Sequence, residues 1–354
     1  MKLDLILKEM IEKKASDLIL KVGRPACLRI NGELVIKDDP AFTDEDIDGF
    51  VDEIKDKSQI HALKEQKEIV LSFGIKDLDR FRATVFQQRG TPVIIIRAIN
   101  TRVPPFEELN LPAKVLQNLC NEKRGLVLIT GTTGSGKSTT VASMIEYINR
   151  NVSRHIVTLE DPIEFIFKDK KSVLSQREVR IDTESFQKAL EYIMLQSPDI
   201  IFIGDIRNSQ VMTTALTAAE TGQLVIANLH TINTTHAIER IVNFFQPHQH
   251  AEIRMQLSLL LKGILSLRLV PLKDNAGRVP ACEVLISTPT IVELIREGKI
   301  NEIEYYIKDG KLYGMQSFDQ VLTGLYKTGK ITKETALAYA ERKSELSMSL
   351  KELR

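Results

Sequence analysis

Apolar residues recur three and four apart at the start of the chain. Leu3, Ile6, Leu7, Met10 and Ile11 share one helical face, with Lys and Glu on the other, which predicts an amphipathic helix over residues 2–14. The period then shortens: LIL, CLRI and ELVI read as strands, and Asn31-Gly32 between the last two is a two-residue hairpin signal. Residues 43–65 return to helical spacing, opened by Thr43 with Asp46 three residues on. IVLSFGI, RFRATVFQQR and PVIIIRAI predict three more strands, with Arg-Gly-Thr-Pro at the last turn. Residues 1–98 are therefore expected to form a small α+β domain.

Residues 99–112 carry Pro104-Pro105 and Pro112, which continue neither a helix nor a central strand, and are expected to link two domains. Residues 113–354 then alternate. Strand LVLIT (126–130) precedes a helix from about 137 to 150, and HIVTLE, DIIFIG (199–204) and LVIANL (224–229) are near-continuous apolar strands with a helix through 220 between the last two. That is the pattern of a parallel sheet buried on both faces. From 234 on the spacing is mostly helical, broken by short strands around LRLV and ACEVLI, and the Lys/Glu-rich tail 330–354 is expected to be a solvated helix.

Length agrees with this division, since 354 residues at about 150 per domain give two. Charge narrows the function classes: 48 Lys plus Arg against 47 Asp plus Glu leave no basic excess, which argues against a general binder of nucleic acid or membrane surface. Cys27, Cys120 and Cys282 are too dispersed for a zinc site or a disulfide framework. The N-terminus lacks the apolar run of a signal peptide, and no window suits a membrane span, so a cytoplasmic protein is expected.

The chemistry concentrates at residues 131–138, GTTGSGKS, which match G-x-x-x-x-G-K-[ST] between a predicted strand and a predicted helix. Gly131, Gly134 and Gly136 free the backbone, so that N–H groups from Thr132, Thr133, Ser135 and Thr139 onwards can face phosphate oxygens at a helix N-terminus. Lys137 would charge-pair with the β- and γ-phosphates of ATP, and Ser138 would offer its hydroxyl to Mg²⁺. Asp205, just past DIIFIG, fits a Walker B acid sharing that metal, with helix capping as the bland alternative. Glu160, Asp161 and Glu164 follow HIVTL; three carboxylates at one strand end repel unless compensated, which points to function. These residues alone leave open a ring motor acting on a protein machine and a RecA-like ATPase acting on nucleic acid.

Several blocks resemble the secretion-type ATPases of type IV pili and type II secretion. TLEDPIEF (158–165) is similar to that family's Asp box, SPDIIFIGDIR (197–207) to its Walker B and TAAETGQLVIANLHT (217–231) to its His box. ASDL (15–18), GRPACLRINGEL (23–34) and RFRATVFQQRG (80–90) resemble its small N-terminal domain; LIREGKINEI (294–303) and GMQSFDQ (314–320) resemble the tail of its twitching-motility, PilT and PilU, branch. The start directly at the small domain and the lack of paired CxxC motifs agree with that retraction branch, and the Phe of GMQSFDQ leans towards the PilU type.

The resemblance implies a RecA-like P-loop domain preceded by a PAS-like one, in a homohexamer at the inner-membrane base of a pilus machine. It implies ATP and Mg²⁺ as ligands, a membrane platform protein and a paralogous retraction ATPase as partners, and no nucleic acid. It makes Glu164 the catalytic glutamate, with Glu160 beside it, and His230 the residue that senses phosphate. It makes Arg82 and Arg97, with Arg80 after them, arginines given to a neighbouring subunit's site. Its tail segment 290–303 is either a motor-output element or an ordinary surface helix stopped by Gly298. Two positions depart from the family's GE-x-RD: Asp205 shortens the acid by a methylene, and Asn208 is expected to leave Arg207 without a neighbouring charge, so a weakly hydrolysing accessory subunit stays open. His248 and His250 (QPHQH) read as a polar turn, His236 as a helix-start residue without a catalytic role, and the Leu/Ile stripe in 252–269 as core.

Overall fold

The computed structural model describes residues 3–30, 33–54, 67–75, 78, 80–99, 102–274 and 277–351. The chain forms two compact units, Met1–Arg102 with Glu164–Ile166, and Val103–Ile163 with Phe167–Arg354.

The first unit holds helices α1 (Leu3–Glu12) and α2 (Asp44–Ile54) and strands β1 (Asp17–Lys21), β2 (Cys27–Ile30), β3 (Glu33–Ile36), β4 (Glu68–Gly74), β5 (Arg80–Gln88) and β6 (Thr91–Ile99). The strands pair antiparallel in the order β3-β2-β1-β6-β5-β4. Asn31-Gly32 lies outside the described residues, but Ile30 and Glu33 pair across it. Residues 55–65 of the expected helix also lie outside them. Its start is described: the Asp46 carboxylate accepts from Thr43 N and Oγ1, both at 2.9 Å, and Asp46 N donates to Thr43 Oγ1 at 3.2 Å, satisfying the orphan donors of a first turn.

Alternation divides this sheet into two faces. Leu18, Leu20, Phe81, Ala83, Val85, Ile94 and Ile96 bury one face in a core shared with Leu3, Leu7, Met10, Ile47 and Phe50 of the helices. Asp17, Arg29, Arg82 and Arg97 take the other parity.

The second unit begins with helix α3 (Ala113–Cys120) and strand β7 (Gly125–Gly131), followed by α4 (Lys137–Asn151), β8 (His155–Glu160), β9 (Val173–Glu178), α5 (Phe186–Ile193), β10 (Ile200–Ile203), α6 (Ser209–Thr221) and β11 (Leu224–Leu229). Next come α7 (Thr234–Val242), α8 (His250–Leu260), β12 (Leu261–Pro271), β13 (Arg278–Ile286), α9 (Pro289–Glu297), α10 (Ile303–Asp309), α11 (Phe318–Lys327), α12 (Lys333–Tyr339) and α13 (Lys343–Lys351). The sheet order is β13-β12-β7-β11-β10-β8-β9, parallel throughout except for β13.

Successive residues of its strands feed two cores. Leu126, Leu128, Val225, Ala227, Ile201 and Ile203 face one, with α5 to α8. Val127, Ile129, Leu224, Ile226, Ile200 and Phe202 face the other, with α3 and α4. Burial on both faces is what made these strands read as unbroken apolar runs.

Three expectations change here. Residues 103–112 do not merely connect, because Phe106 and Leu111 are buried in the core beneath α3 and α4. The stripe in 252–269 is core, as expected, spread over a helix and the strand after it, and the strands at LRLV and ACEVLI are not short but belong to the eleven- and nine-residue strands β12 and β13. The tail is not solvated: Ala336, Leu346 and Leu350 join Val270, Val279, Phe318 and Leu322 in a small core of their own. Lys333, Lys343 and Lys351 lie on its two short helices, whereas Glu341, between them, pairs inward with Arg268.

Candidate nucleotide site

The segment between β7 and α4 is a tight turn over the C-terminal ends of parallel strands, where open α/β sheets bind ligands. Gly131 sits at φ 146°, and a Cβ there would lie 2.3 Å from Ser135 Oγ and 2.6 Å from the Leu267 carbonyl of the adjoining β12. Only glycine allows the loop to fold back this closely. Gly136 is left-handed and hands the chain to α4 without a side-chain cap, leaving the first N–H groups of that helix to an external acceptor.

Lys137 is the first residue of α4 and is buried, with its Nζ donating to the carbonyls of Gly131 (2.8 Å) and Thr132 (2.9 Å). On the adjacent strand β11, Leu229 pairs with Thr130, which brings the next residue, His230, beside the loop. His230 Nδ1 is 3.4 Å from Lys137 Nζ, and its Nε2 is 3.6 Å from Asp205 Oδ2. Partial burial, and then the charge of Lys137, hold His230 below the usual histidine range; Asp205 pulls the other way. A neutral imidazole is thus placed between an ammonium and a carboxylate.

Asp205 follows β10, the strand between β11 and β8. Gly204 makes this approach possible, since a Cβ there would lie 3.1 Å from Leu159 O and 3.2 Å from Glu160 Cα. Asp205 is buried; its Oδ2 accepts from Arg207 Nε at 2.6 Å, while Oδ1 is buried with no hydrogen-bond partner among the described residues. A buried carboxylate oxygen left unsatisfied is costly unless a cation or its water shell completes it. The donor set fits magnesium, a hard cation that takes a carboxylate, a hydroxyl such as that of Ser138, and waters or phosphates.

Arg207 differs from expectation. It has two neighbouring charges, Asp205 and the Asp161 carboxylate at 3.7 Å, which together raise its already high pKa. Asn208 does other work: it caps α6 by accepting from Val211 N at 3.0 Å.

The remaining acids separate. Glu160 ends β8, buried, with Oε1 accepting from Thr158 Oγ1 at 2.7 Å and Gln176 Nε2 at 3.4 Å. Asp161 also lies 3.9 Å from Arg180. Glu164 is exposed and belongs with the first unit. Arg82 and Arg97 face each other directly across β5 and β6, an unfavourable like-charge pair. Asp17 offsets it: its Oδ1 accepts from Arg97 Nε at 2.9 Å and Nη2 at 2.5 Å, with Arg29 3.7 Å from its Oδ2. Arg80 lies on the same strand parity as Arg82, opposite Ile99. Of the site residues read from sequence, the structure gathers Lys137, His230, Asp205 and the 131–139 loop in one place.

Sequence reading missed several contributors. Asn228 is buried with an unpartnered Oδ1 one residue from the end of β11, and Arg240 Nη1 donates to His230 O at 3.1 Å. The Thr130 and Ser266 hydroxyls meet at 2.5 Å at the base of the loop. Polar residues inside otherwise apolar strands were the available signal. A cleft of about 290 Å³ opens from Thr132–Ser135 towards Ile232, Arg268, Arg278 and Tyr339. His250 Nε2 donates to Phe245 O at 3.0 Å and starts α8, and His236 contacts Asn233 at the start of α7, so neither joins the site.

Known proteins resemble the chain along nearly its whole length. The chain is 39% identical over 351 residues to the type IV pilus ATPase PilU of Pseudomonas aeruginosa, covering 99% of this chain and 92% of that protein. It is 39% identical over 322 residues to the pilus retraction ATPase PilT of the same organism, covering 91% and 93%. The crystal structure of the pilus retraction motor PilT with bound ADP superposes with a TM-score of 0.92 at 44% identity, covering 98% of this chain and 99% of that one. The family described as type II/IV secretion system protein matches residues 53–351, most of the chain. This chain is a member of the type II/IV secretion system protein family.

Proposed function

We propose that the protein is an ATPase motor that drives type IV pilus retraction, the activity named for its relative PilT, while its relative PilU is named a type IV pilus ATPase. The observation that carries the reading is the convergence of Lys137, His230 and Asp205 on one glycine turn. Lys137 binds the β- and γ-phosphates, helped by the N–H groups of residues 132–139. Ser138 and Asp205 would hold Mg²⁺, which supplies charge neutralisation on the transferred phosphoryl group. His230, neutral and in reach of both Lys137 and Asp205, is suited to register the γ-phosphate by hydrogen bonding rather than by charge. Glu164 would orient the attacking water, and the buried Glu160 would serve as a second acid.

The chain works as a homohexamer in which Arg82 and Arg97, with Arg80, serve a neighbouring copy's site. An arginine arriving across an interface stabilises charge that grows in the transition state. In this reading the first unit is PAS-like, supported by an antiparallel sheet whose first and last strands, β1 and β6, lie side by side at its centre. The motor sits on the cytoplasmic side of the inner membrane, against a platform protein and beside a paralogous retraction ATPase. Among the described residues no helix is long and apolar enough to cross a membrane. Segment 290–303 (α9 and the turn after Gly298) is the output element.

Steady-state phosphate release by the purified chain with MgATP, with and without DNA, tests the proposal. Hydrolysis that is independent of DNA and lost in Lys137→Ala supports it. DNA-stimulated, salt-sensitive hydrolysis would favour a nucleic-acid motor, and no hydrolysis an accessory subunit.

A further inference from the structure

The loop that carries His230 is fastened from outside the nucleotide site. Ile232 O accepts from Arg268 Nη2 at 3.2 Å. Asn233 caps α7 by accepting from His236 N at 3.0 Å, and its Nδ2 donates to Glu341 Oε1 at 3.2 Å. Thr234 N and Oγ1 donate to the buried Glu283 Oε1 at 2.8 and 2.7 Å. Three successive residues after the histidine loop are thus held by strands β12 and β13 and by the connection between α12 and α13.

Arg268 joins these attachments. Its Nη2 also donates to Glu341 Oε1 at 2.7 Å, its Nη1 to Tyr339 O at 3.0 Å, and its guanidinium lies 3.8 Å from the Phe318 ring centre. Its chain neighbour Leu267 is the residue whose carbonyl abuts Gly131. Glu341 is itself fixed through its main chain, because Asp319 accepts from Glu341 N at 2.9 Å and Arg342 N at 3.1 Å. The pair is shielded from solvent, with side-chain exposures of 22% and 19%, so it is screened less than a surface ion pair. Packing of the tail does not require it: Leu346, Leu350 and Ala336 already bury the tail's apolar face.

We propose that Glu341, acting through Arg268 and Asn233, is a positioning residue for hydrolysis that keeps the His230 loop aligned with Lys137 and Asp205. This rests on the role given above to His230. The C-terminal helices, distant in sequence, thereby govern the geometry of the phosphate-facing histidine.

The test compares full-length wild type, Glu341→Ala, His230→Ala and the double variant by steady-state phosphate release, with affinity for a fluorescent ADP analogue measured alongside. Glu341→Ala is expected to lower kcat about tenfold, with ADP affinity within about twofold, because a small displacement of a reacting group costs rate rather than ground-state binding. The double variant should be no slower than His230→Ala, and Glu341→Gln, which keeps an acceptor oxygen, should recover much of the loss. Asn233→Ser keeps a helix cap but removes the donor to Glu341, so it should show the same fall in kcat even if Glu341→Ala folds poorly. A Glu341→Ala kcat within about twofold of wild type, a loss confined to KM, or effects that multiply in the double variant would overturn the proposal alone. Normal hydrolysis by His230→Ala would overturn the role of His230, and this proposal with it.

Discussion

Lys137 Nζ and His230 Nδ1 lie 3.4 Å apart, an ammonium against an imidazole that the same lysine helps to keep neutral. Protonating His230 would set two cations together on the phosphate loop. Because its folded pKa is depressed, the neutral form persists above the ordinary value of 6.5, and the conflict begins only as pH falls below it. ATPase rate is expected to be flat on the alkaline side of 6.5 and to fall on the acid side. That acid limb should disappear from the pH–rate profile of His230→Asn; a limb that persists would assign it to another group.

Gly131→Ala should be as damaging as loss of the lysine itself. The added Cβ meets the Leu267 carbonyl at 2.6 Å, and a backbone atom cannot swing aside as a side chain can. Lys137→Ala is expected to reduce hydrolysis by on the order of 10²–10³. Isothermal titration with ATP should show that Gly131→Ala weakens binding, whereas retained affinity would mean that the loop relaxes around the methyl group.

If arginines are exchanged between copies, mixing two inactive chains should restore activity. Arg97→Ala and Glu164→Gln are each expected to lower hydrolysis, the arginine by about 10³-fold or more. Rings assembled from both should regain a measurable fraction, since some interfaces pair an intact arginine with an intact glutamate. Phosphate release no greater than in either separate population would count against exchange.

Glu283 supplies a stability test. Burial, and then the nearby Glu341, push its carboxyl up to about 7 from the usual 4.5. A raised carboxyl pKa means that the folded chain binds more protons than the unfolded one between those values, so stability declines as pH rises from 4.5 through 7. Glu283→Gln can still accept from Thr234 but cannot ionise. It should raise the unfolding temperature at pH 8 by several degrees and change it little at pH 4.5. Equal shifts at both pH values would show that ionisation of Glu283 is not responsible.

The tail offers a contrast with its sequence appearance. Leu346→Ala removes a side chain buried against Phe318 and Leu322 in the small C-terminal core, and should cost about 2–5 kcal/mol in denaturant titrations. A cost near zero would indicate a tail that does not pack.

How much of this was legible beforehand follows from the range of the interactions. The phosphate loop was readable because strand, glycines, lysine and helix are contiguous, and the buried strands β7, β10 and β11 announced themselves by apolar content. Strand β9 was missed, since VLSQRE is an edge strand with little burial to shape its composition. The tail misled for a related reason: seven- and nine-residue helices offer only one or two apolar turns, and the partners Val270, Val279 and Phe318 come from other elements. Arg207 was misjudged by looking one residue along the chain to Asn208, when its partners are Asp205 and, across the sheet, Asp161. The fastening of Asn233 by Glu341, 108 positions away, has no local signature at all.

The pairing of Leu229 with Thr130 carries a consequence for how the gene can vary. Side chains of β11 alternate between two interiors, so a single-codon insertion inside Leu224–Leu229 would exchange the residues meant for each and turn His230 away from the lysine. The same codon added at the Gly222 bend, before pairing begins, would lengthen a surface turn and leave parity intact. Lineages of this protein should therefore differ in length at that bend and stay fixed in length along the strand.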